Sequence, residues 1–257
     1  MTFTLWSPLH YFMMIGPFII TLIMNLTLKN KSYQTKRMVG IYFSILAILL
    51  LMARNIEIFV LSGFKMDYEI IPLQICHFAN FVLLYAFWKE SDTAFGLAFL
   101  FNLPLAYLSL IFADGLENYA NILTFRGQAY IFGHMLIVLI TLFAYTNGFI
   151  RLNIKKYVSV SVLITTLYVL SLFINNIFRI AFDLNANYFY AQHPESGTPL
   201  EFFFDLGTVI NIGNFEVNII YMISLIIFGY LVTFIIYLLA FELPRLLNRK
   251  NLKLETN

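Results

Sequence analysis

The sequence predicts an all-α polytopic membrane protein with seven transmembrane helices, its N-terminus outside and its C-terminus in the cytoplasm. Three observations carry that reading. Of 257 residues, 60% are hydrophobic and only 12% charged, too few charges to coat a soluble globule of this size. Seven apolar stretches approach the roughly 20 helical residues needed to cross a hydrocarbon core of about 30 Å. Lys and Arg collect at one end of those stretches.

The spans are expected at 11–28, 38–61, 70–88, 93–113, 127–150, 157–180 and 217–241. Six have cores free of Lys, Arg, Asp and Glu. The stretch at 38–61 is long enough only if it carries Arg54, Asn55 and Glu57 inside it. Orientation follows from the loops, because cytoplasmic loops retain Lys and Arg during insertion. Threading from an outside N-terminus puts Lys29, Lys31, Lys36, Arg37, Lys89, Arg151, Lys155, Lys156, Arg245, Arg249, Lys250 and Lys253 inside. Arg54, Lys65, Arg126 and Arg179 remain outside, and removing one span would scramble the split. No Lys or Arg precedes Lys29, so the first stretch lacks the basic start of a cleaved signal peptide and is expected to stay as a helix.

The whole chain, 1–257, reads as one transmembrane domain. Its net charge of +2 reflects the basic inner loops, which suit anionic headgroups and need no nucleic acid to explain them. A single cysteine excludes an intramolecular disulfide. Trp6, Tyr11 and Trp88 sit near span ends, as interfacial anchors do. There is no 20-to-50-residue repeat and no pair of inverted halves, which disfavours a typical secondary transporter.

Sorting polar residues by depth isolates a cluster toward the outer side, where intramembrane ionisable groups face a protein interior or a water-filled cavity. Arg54 and Glu57 lie in the last turns of the second span at i, i+3 spacing, where they can pair. Gln74, Cys76, His77 and Asn80 occupy the first turns of the third span. His134 lies near the outer start of the fifth. Asn175, Asn176, Arg179 and Asp183 close the sixth, the last two at i, i+4. The inner halves hold little beyond Asn25, Asn102 and Asn147. Between the last two spans, a linker at 184–216 carries Asn187, Tyr188, Tyr190, His193 and several carboxylates, with glycines at 197, 207 and 213. Its length marks it as functional or disordered, and its aromatic content argues for an ordered lid over the outer mouth of the bundle.

Each of these residues also has a plain structural reading. A lone histidine in a helix bundle is more often a hydrogen-bonding core residue than a catalyst. Free cysteine is more often a small buried hydrophobe than a nucleophile. Arg54 and Arg179 suit ion pairs at helix ends, and Asn175 and Asn176 suit interhelical hydrogen bonding. Concentration of so many donors, acceptors and bases in one stratum is what favours chemistry. GxSxG, Walker, HExxH and GxxxG patterns are absent. His77, His134 and His193 lack the i, i+3 or i, i+4 spacing of helical metal ligands, so neither a metal nor another cofactor is expected.

Three blocks carry a family resemblance: Pro72-Leu73-Gln74-Ile75-Cys76-His77, Tyr130-Ile131-Phe132-Gly133-His134, and Asn185-Ala186-Asn187-Tyr188-Phe189-Tyr190. In order and spacing they resemble the YwaF-like family of bacterial integral membrane proteins. More remotely they are similar to eukaryotic transmembrane proteins of that superfamily, one of which is an acyltransferase acting on ether phospholipids. The resemblance spans Ile70 to Gly207 and implies a multi-pass protein of the bacterial plasma membrane. His134 matches the family's histidine on the fifth helix, and Asn187-Tyr188 its Asn-Tyr block. Pro72, Leu73 and Cys76 match a Pro-Leu-His-Leu-Cys pattern whose histidine is here Gln74. The acyltransferase's cysteine lies beside its proline, which falls on Leu73.

Two functions fit. The first is lipid acyl transfer or lipid ester hydrolysis, with His134 or His77 as general base, Cys76 as nucleophile, and Gln74, Asn80 or Asn187 donating to an oxyanion. Arg54, Glu57, Asn175, Asn176, Arg179 and Tyr190 complete the candidate binding set, and membrane lipids are the partners. The alternative is a non-enzymatic protein that binds or transports a small molecule in the same polar bowl.

Overall fold

A computed structural model describes residues 2–113, 116, 119, 121–195 and 198–246. Gly197 and the basic tail residues Arg249, Lys250 and Lys253 lie outside the described residues. Seven helices are long and apolar enough to cross a membrane. They form one bundle, with α1 (Pro8–Thr27) and α2 (Tyr33–Leu61) packed on α6 (Phe125–Thr146), and α7 (Ile154–Phe182) beside α9 (Ile219–Tyr237). Serine, threonine and asparagine side chains start most of the long helices: Ser7, Ser32, Thr124, Asn153 and Asn218 each accept a first-turn backbone N–H.

The second span begins at Tyr33, five residues before the expected boundary, because Ser32 caps it. The third departs further. A continuous helix is expected over 70–88, yet α3 runs only from Ile75 to Lys89, 15 residues or about 22 Å. That is short of a hydrocarbon core of about 30 Å. A single 3₁₀ turn, Tyr68–Ile70, and an irregular stretch through Pro72 make up the remaining depth.

Irregular backbone survives at such depth only where protein or water satisfies its polar groups. Here side chains do so. The Tyr68 carbonyl accepts the Tyr188 hydroxyl at 2.7 Å, the Glu69 carbonyl accepts Arg54 Nη1 at 2.8 Å, and the Ile70 carbonyl accepts Asn55 Nδ2 at 2.8 Å.

The fourth span is a helix in three parts: α4 (Asp92–Leu97), a π-helical turn over Ala98–Asn102, and α5 (Leu103–Phe112). Pro104 has no N–H and its ring would strike the carbonyl four residues back, so the ladder widens just before it. The π turn is buried throughout and ends on Asn102. At the opposite end of α3, Arg37 of α2 donates to the carbonyls of Phe87 and Trp88 and pairs with Glu90 at 3.2 Å. Gly40 of α2 lies where any Cβ would overlap the Phe87 ring. Phe87 in turn packs edge-on against Phe95 and Phe149.

The 184–216 linker is ordered over its described residues. It contains a 3₁₀ turn (Tyr188–Tyr190), a short helix α8 (Leu200–Asp205) and the first strand of a hairpin, β1 (Ile210–Ile212) pairing antiparallel with β2 (Phe215–Val217). The hairpin is the one strand pair among the described residues, and the sequence does not predict it. Val217, expected to open the seventh span, closes β2 instead, and α9 starts at Ile219 behind the Asn218 cap.

Candidate functional site

Neither of the two expected ion pairs forms. Glu57 does not pair with Arg54; its two carboxylate oxygens accept the backbone N–H groups of Phe125 at 3.1 Å and Arg126 at 2.7 Å, capping α6 from α2. Arg54 bonds instead to Glu69, 2.8 Å between Nη2 and Oε2, and Arg126 reaches both oxygens of the same carboxylate at 3.1 Å. Glu69 is thus the hub of an Arg54–Glu69–Arg126 bridge, and the irregular stretch before α3 is what carries it into place.

Arg179 likewise pairs with Glu216 at 3.2 Å and not with Asp183. Asp183 is the C-cap of α7 in a left-handed conformation, φ +53°, so the helical i, i+4 geometry ends before it. A second guanidinium nitrogen of Arg179 donates to the Asn214 carbonyl.

Asn175 and Asn176 attach the linker to α7. Asn175 Nδ2 donates to the Tyr188 carbonyl at 3.1 Å while its Oδ1 accepts the Tyr188 N–H at 2.8 Å. Asn176 repeats the pattern on Glu216, at 2.9 and 2.8 Å. Asn187 closes its own loop, accepting from the N–H groups of Gln192 and His193 and donating to the His193 carbonyl. The Tyr190 carbonyl accepts the Tyr221 hydroxyl at 2.8 Å.

These attachments drive Phe189 into the bundle. It is buried, with its ring 6.2 Å from Phe78, 6.1 Å from Phe101 and 6.0 Å from Tyr168. Phe189 and Tyr190 both sit in the left-handed region, at φ +58° and +50°. That conformation is costly for bulky residues and persists only where the surroundings impose it.

The residues that could carry chemistry lie at the start of α3 and on the facing parts of α5 and α6. Gln74 is the N-cap position of α3 but its side chain makes no capping bond, so Cys76 and His77 begin a helix with no side-chain cap. Cys76 lies within interaction reach of the Ser109 side chain on α5. The Ser109 carbonyl accepts the Tyr130 hydroxyl at 3.0 Å, and the Tyr130 ring packs 4.6 Å from that of His134. His134 Nδ1 lies 2.6 Å from the Tyr130 carbonyl, which can only accept, so Nδ1 carries the proton and Nε2 the lone pair.

His77 lies within electrostatic reach of both His134 and Arg54. Among the described residues its Nδ1 is buried without a hydrogen-bond partner, as are Oδ1 of Asn80 and Oδ1 of Asn102. Cys76 and His134 share no hydrogen bond; the connection between them runs through Ser109 and Tyr130. A groove at this end of the bundle is lined by Glu57, Ile58, Leu61, Tyr119, Thr124 and Arg126, and not by Cys76, His77 or His134.

Sequence reading missed Ser109, Tyr130, Glu69 and Glu216, all of which take their roles from tertiary contact. It also placed Asn102 with the inner polar residues. The structure brings Asn102 Nδ2 to 3.5 Å from the carbonyl of Ile75, the first residue of α3. Asn102 directly before Leu103-Pro104 is the local signal, since a proline in mid-span marks a widened turn. The remaining histidines are elsewhere. Buried His10 accepts the Trp6 N–H on Nδ1 and donates from Nε2 to the last carbonyls of α5, and His193 packs against Phe204.

A model of the TMEM164 family matches residues 5–239. The chain belongs to that family. The match takes in the first six spans and most of the seventh, and extends well beyond the Ile70 to Gly207 region that carries the sequence resemblance. No curated protein and no solved structure matches the chain. Within this TMEM164-family protein, no three His, Cys, Asp or Glu side chains group as metal ligands among the described residues.

Proposed function

We propose that this TMEM164-family protein is a membrane-embedded enzyme that breaks lipid ester bonds, by acyl transfer or hydrolysis. The observation that carries the proposal is the fixed tautomer of His134. Its Nδ1–H is held by the Tyr130 carbonyl, so Nε2 is available as a general base. Cys76, at the start of α3, is the nucleophile, and His77 stands beside the pair. Backbone N–H groups of the uncapped first turn, with the Gln74 amide, are the oxyanion donors. Asn80 lies next to them on α3.

Cys76 engages by turning from Ser109 toward His134. Nε2 takes the thiol proton as Sγ bonds to the acyl carbon, and the ester C–O bond breaks with return of that proton to the departing oxygen. Water or a second lipid hydroxyl then takes the acyl group by the same route. The resemblance of the three sequence blocks to YwaF-like proteins and to a eukaryotic phospholipid acyltransferase supports both the lipid substrate and a bacterial plasma membrane. Charge asymmetry of the loops supports an outside N-terminus, a cytoplasmic C-terminus and chemistry on the extracytoplasmic leaflet.

Purified protein in nanodiscs containing an ester phospholipid tests this. Mass spectrometry should find lysolipid together with an acyl adduct on Cys76. Cys76→Ala should lose the adduct and His134→Ala both signals. Undiminished lipid turnover by His134→Ala removes the assignment.

A further inference from the structure

The linker between the last two spans is anchored along the side of α9 and not above it. Phe203 of α8 has its ring 5.6 Å from that of Phe228, and Phe204 lies 5.2 Å from Tyr221. Asn218 Nδ2 donates to the Phe204 carbonyl at 2.9 Å. Phe228 is nine residues into α9, about 13 Å along its axis. Helical side chains lean toward the N-terminus, which brings the ring back to about 10 Å from the helix start.

The apolar helix Ile219–Leu246 has 28 residues. It is therefore about 42 Å long, some 12 Å more than a hydrocarbon core of about 30 Å, or about 6 Å of overhang at each end. A contact about 10 Å down places α8 at the boundary of the hydrocarbon.

The sides of α8 match that depth. At 100° per residue, Glu201 and Asp205 share one edge, Phe202 and Leu206 the next, and Phe203 and Phe204 the side against α9. Phe202 is 65% exposed, and the hairpin adds exposed Ile210 and Ile212, the latter at 66%. The outward side of α9 is exposed and apolar as well, at Ile219, Ile220 and Ile223. Residues 184–216 contain no Lys or Arg. Attraction to anionic headgroups therefore contributes nothing to holding the linker down.

We propose that α8 and the β1–β2 hairpin form a lipid-contacting surface, seated in the headgroup and upper acyl layer of the leaflet at that end of the bundle. Phe202, Leu206, Ile210 and Ile212 meet acyl chains, and Glu201 and Asp205 face water. Contact is apolar and independent of lipid charge. The linker thus shields the bundle from its flank while remaining in the layer that holds lipid ester bonds. The proposal does not depend on any catalytic step.

Site-directed spin labelling tests it. In a Cys76→Ser background, which removes the only cysteine, nitroxides are placed through Phe202→Cys, Leu206→Cys and Ile212→Cys, with Asp205→Cys as the water-facing control. All four positions are exposed, so labelling leaves the packed core unchanged. In phosphatidylcholine vesicles, the three apolar sites should be several-fold more accessible to oxygen than to a soluble nickel chelate, and position 205 should show the reverse. Adding phosphatidylglycerol should leave these ratios unchanged. Nickel preference at 202 and 206 would put the linker in water, protection from both reagents would put a protein partner or second copy on it, and a dependence on anionic lipid would replace apolar anchoring. Any of the three overturns the proposal.

Discussion

Asn175→Ala is the sharpest test of how the linker is held. Asn175 is fully buried, and its amide satisfies both backbone groups of Tyr188, the N–H at 2.8 Å and the carbonyl at 3.1 Å. Removing the amide deletes two hydrogen bonds and leaves the buried Tyr188 N–H without its partner, while the carbonyl keeps the Ala191 N–H at 3.2 Å. Side-chain hydrogen bonds in membrane bundles average about 0.6 kcal/mol, giving a floor of about 1.2 kcal/mol for two. One orphaned buried group costs about 1–3 kcal/mol and the lost carbonyl bond about 0.6 kcal/mol more, giving a ceiling of about 4 kcal/mol. Local opening admits water to Tyr188 and keeps the loss toward the floor, so we expect about 2 kcal/mol, or roughly 30-fold in the opening equilibrium. Hydrogen exchange read by mass spectrometry in detergent should show that factor in amides 187–192, while amides in the middle of α6 keep their protection. Equal protection of 187–192 in variant and wild type would refute the reasoning, because it would mean the Asn175 amide does not hold the turn.

Two further outcomes follow from the same contacts. Glu69→Gln removes the carboxylate between Arg54 and Arg126 and leaves the Arg54 guanidinium buried without a counter-charge. A loss of roughly 3 kcal/mol is expected, nearly all from Arg54, since the half-exposed Arg126 contributes little; a thermal midpoint equal to wild type in detergent would contradict it. Burial, with the neighbouring Asp67 and Tyr68, pushes the Tyr188 phenol well above its ordinary value. Its stabilising contribution is therefore complete below about pH 10, the unfolded tyrosine value, and is lost as pH rises beyond that. Wild-type linker should become protease-sensitive above about pH 10, whereas Tyr188→Phe, already weaker by the lost Tyr68 bond, should show a flatter alkaline limb. An identical limb in both proteins would assign the alkaline loss to another group.

The seven spans were legible because hydrophobic length is a local property: a run of apolar residues near 20 crosses a bilayer whatever surrounds it. Local spacing also placed Arg54 near Glu57 and Arg179 near Asp183, and there it misled. Spacing identifies which side chains can meet on one helix but not whether a third element brings a better partner. Glu69 arrives on irregular backbone and takes Arg54, and Glu216 arrives on β2 and takes Arg179. Asn102 was assigned to the wrong stratum because counting along an ideal helix ignores both the π turn before Pro104 and the late start of α3. Gln74, Cys76, His77 and His134 stood out from residue type and depth alone. The intermediaries Ser109 and Tyr130 did not, since a hydroxyl on an apolar helix usually bonds back to its own backbone, as Ser109 Oγ also does to Leu105.

The charged and amide residues inside the second span are explained by what surrounds them and not by pairing among themselves. A helix of 15 residues cannot cross the membrane, so the chain before α3 enters the bundle without regular hydrogen bonding. The Glu69 and Ile70 carbonyls are then left to side chains, supplied by Arg54 and Asn55, while the Tyr68 carbonyl takes the Tyr188 hydroxyl of the linker beside the Ile71 N–H of its own turn. Glu57 performs the converse service for the first N–H groups of α6. The same break places the uncapped start of α3, with Cys76 and His77, inside the bundle and not at its surface. A continuous third helix would need none of Arg54, Asn55 or Tyr188, and it would bury those backbone N–H groups in its own ladder. The polar residues that first drew attention to this end of the protein are thus largely the cost of exposing one helix terminus at depth, and the terminus they expose is the feature on which the proposed chemistry depends.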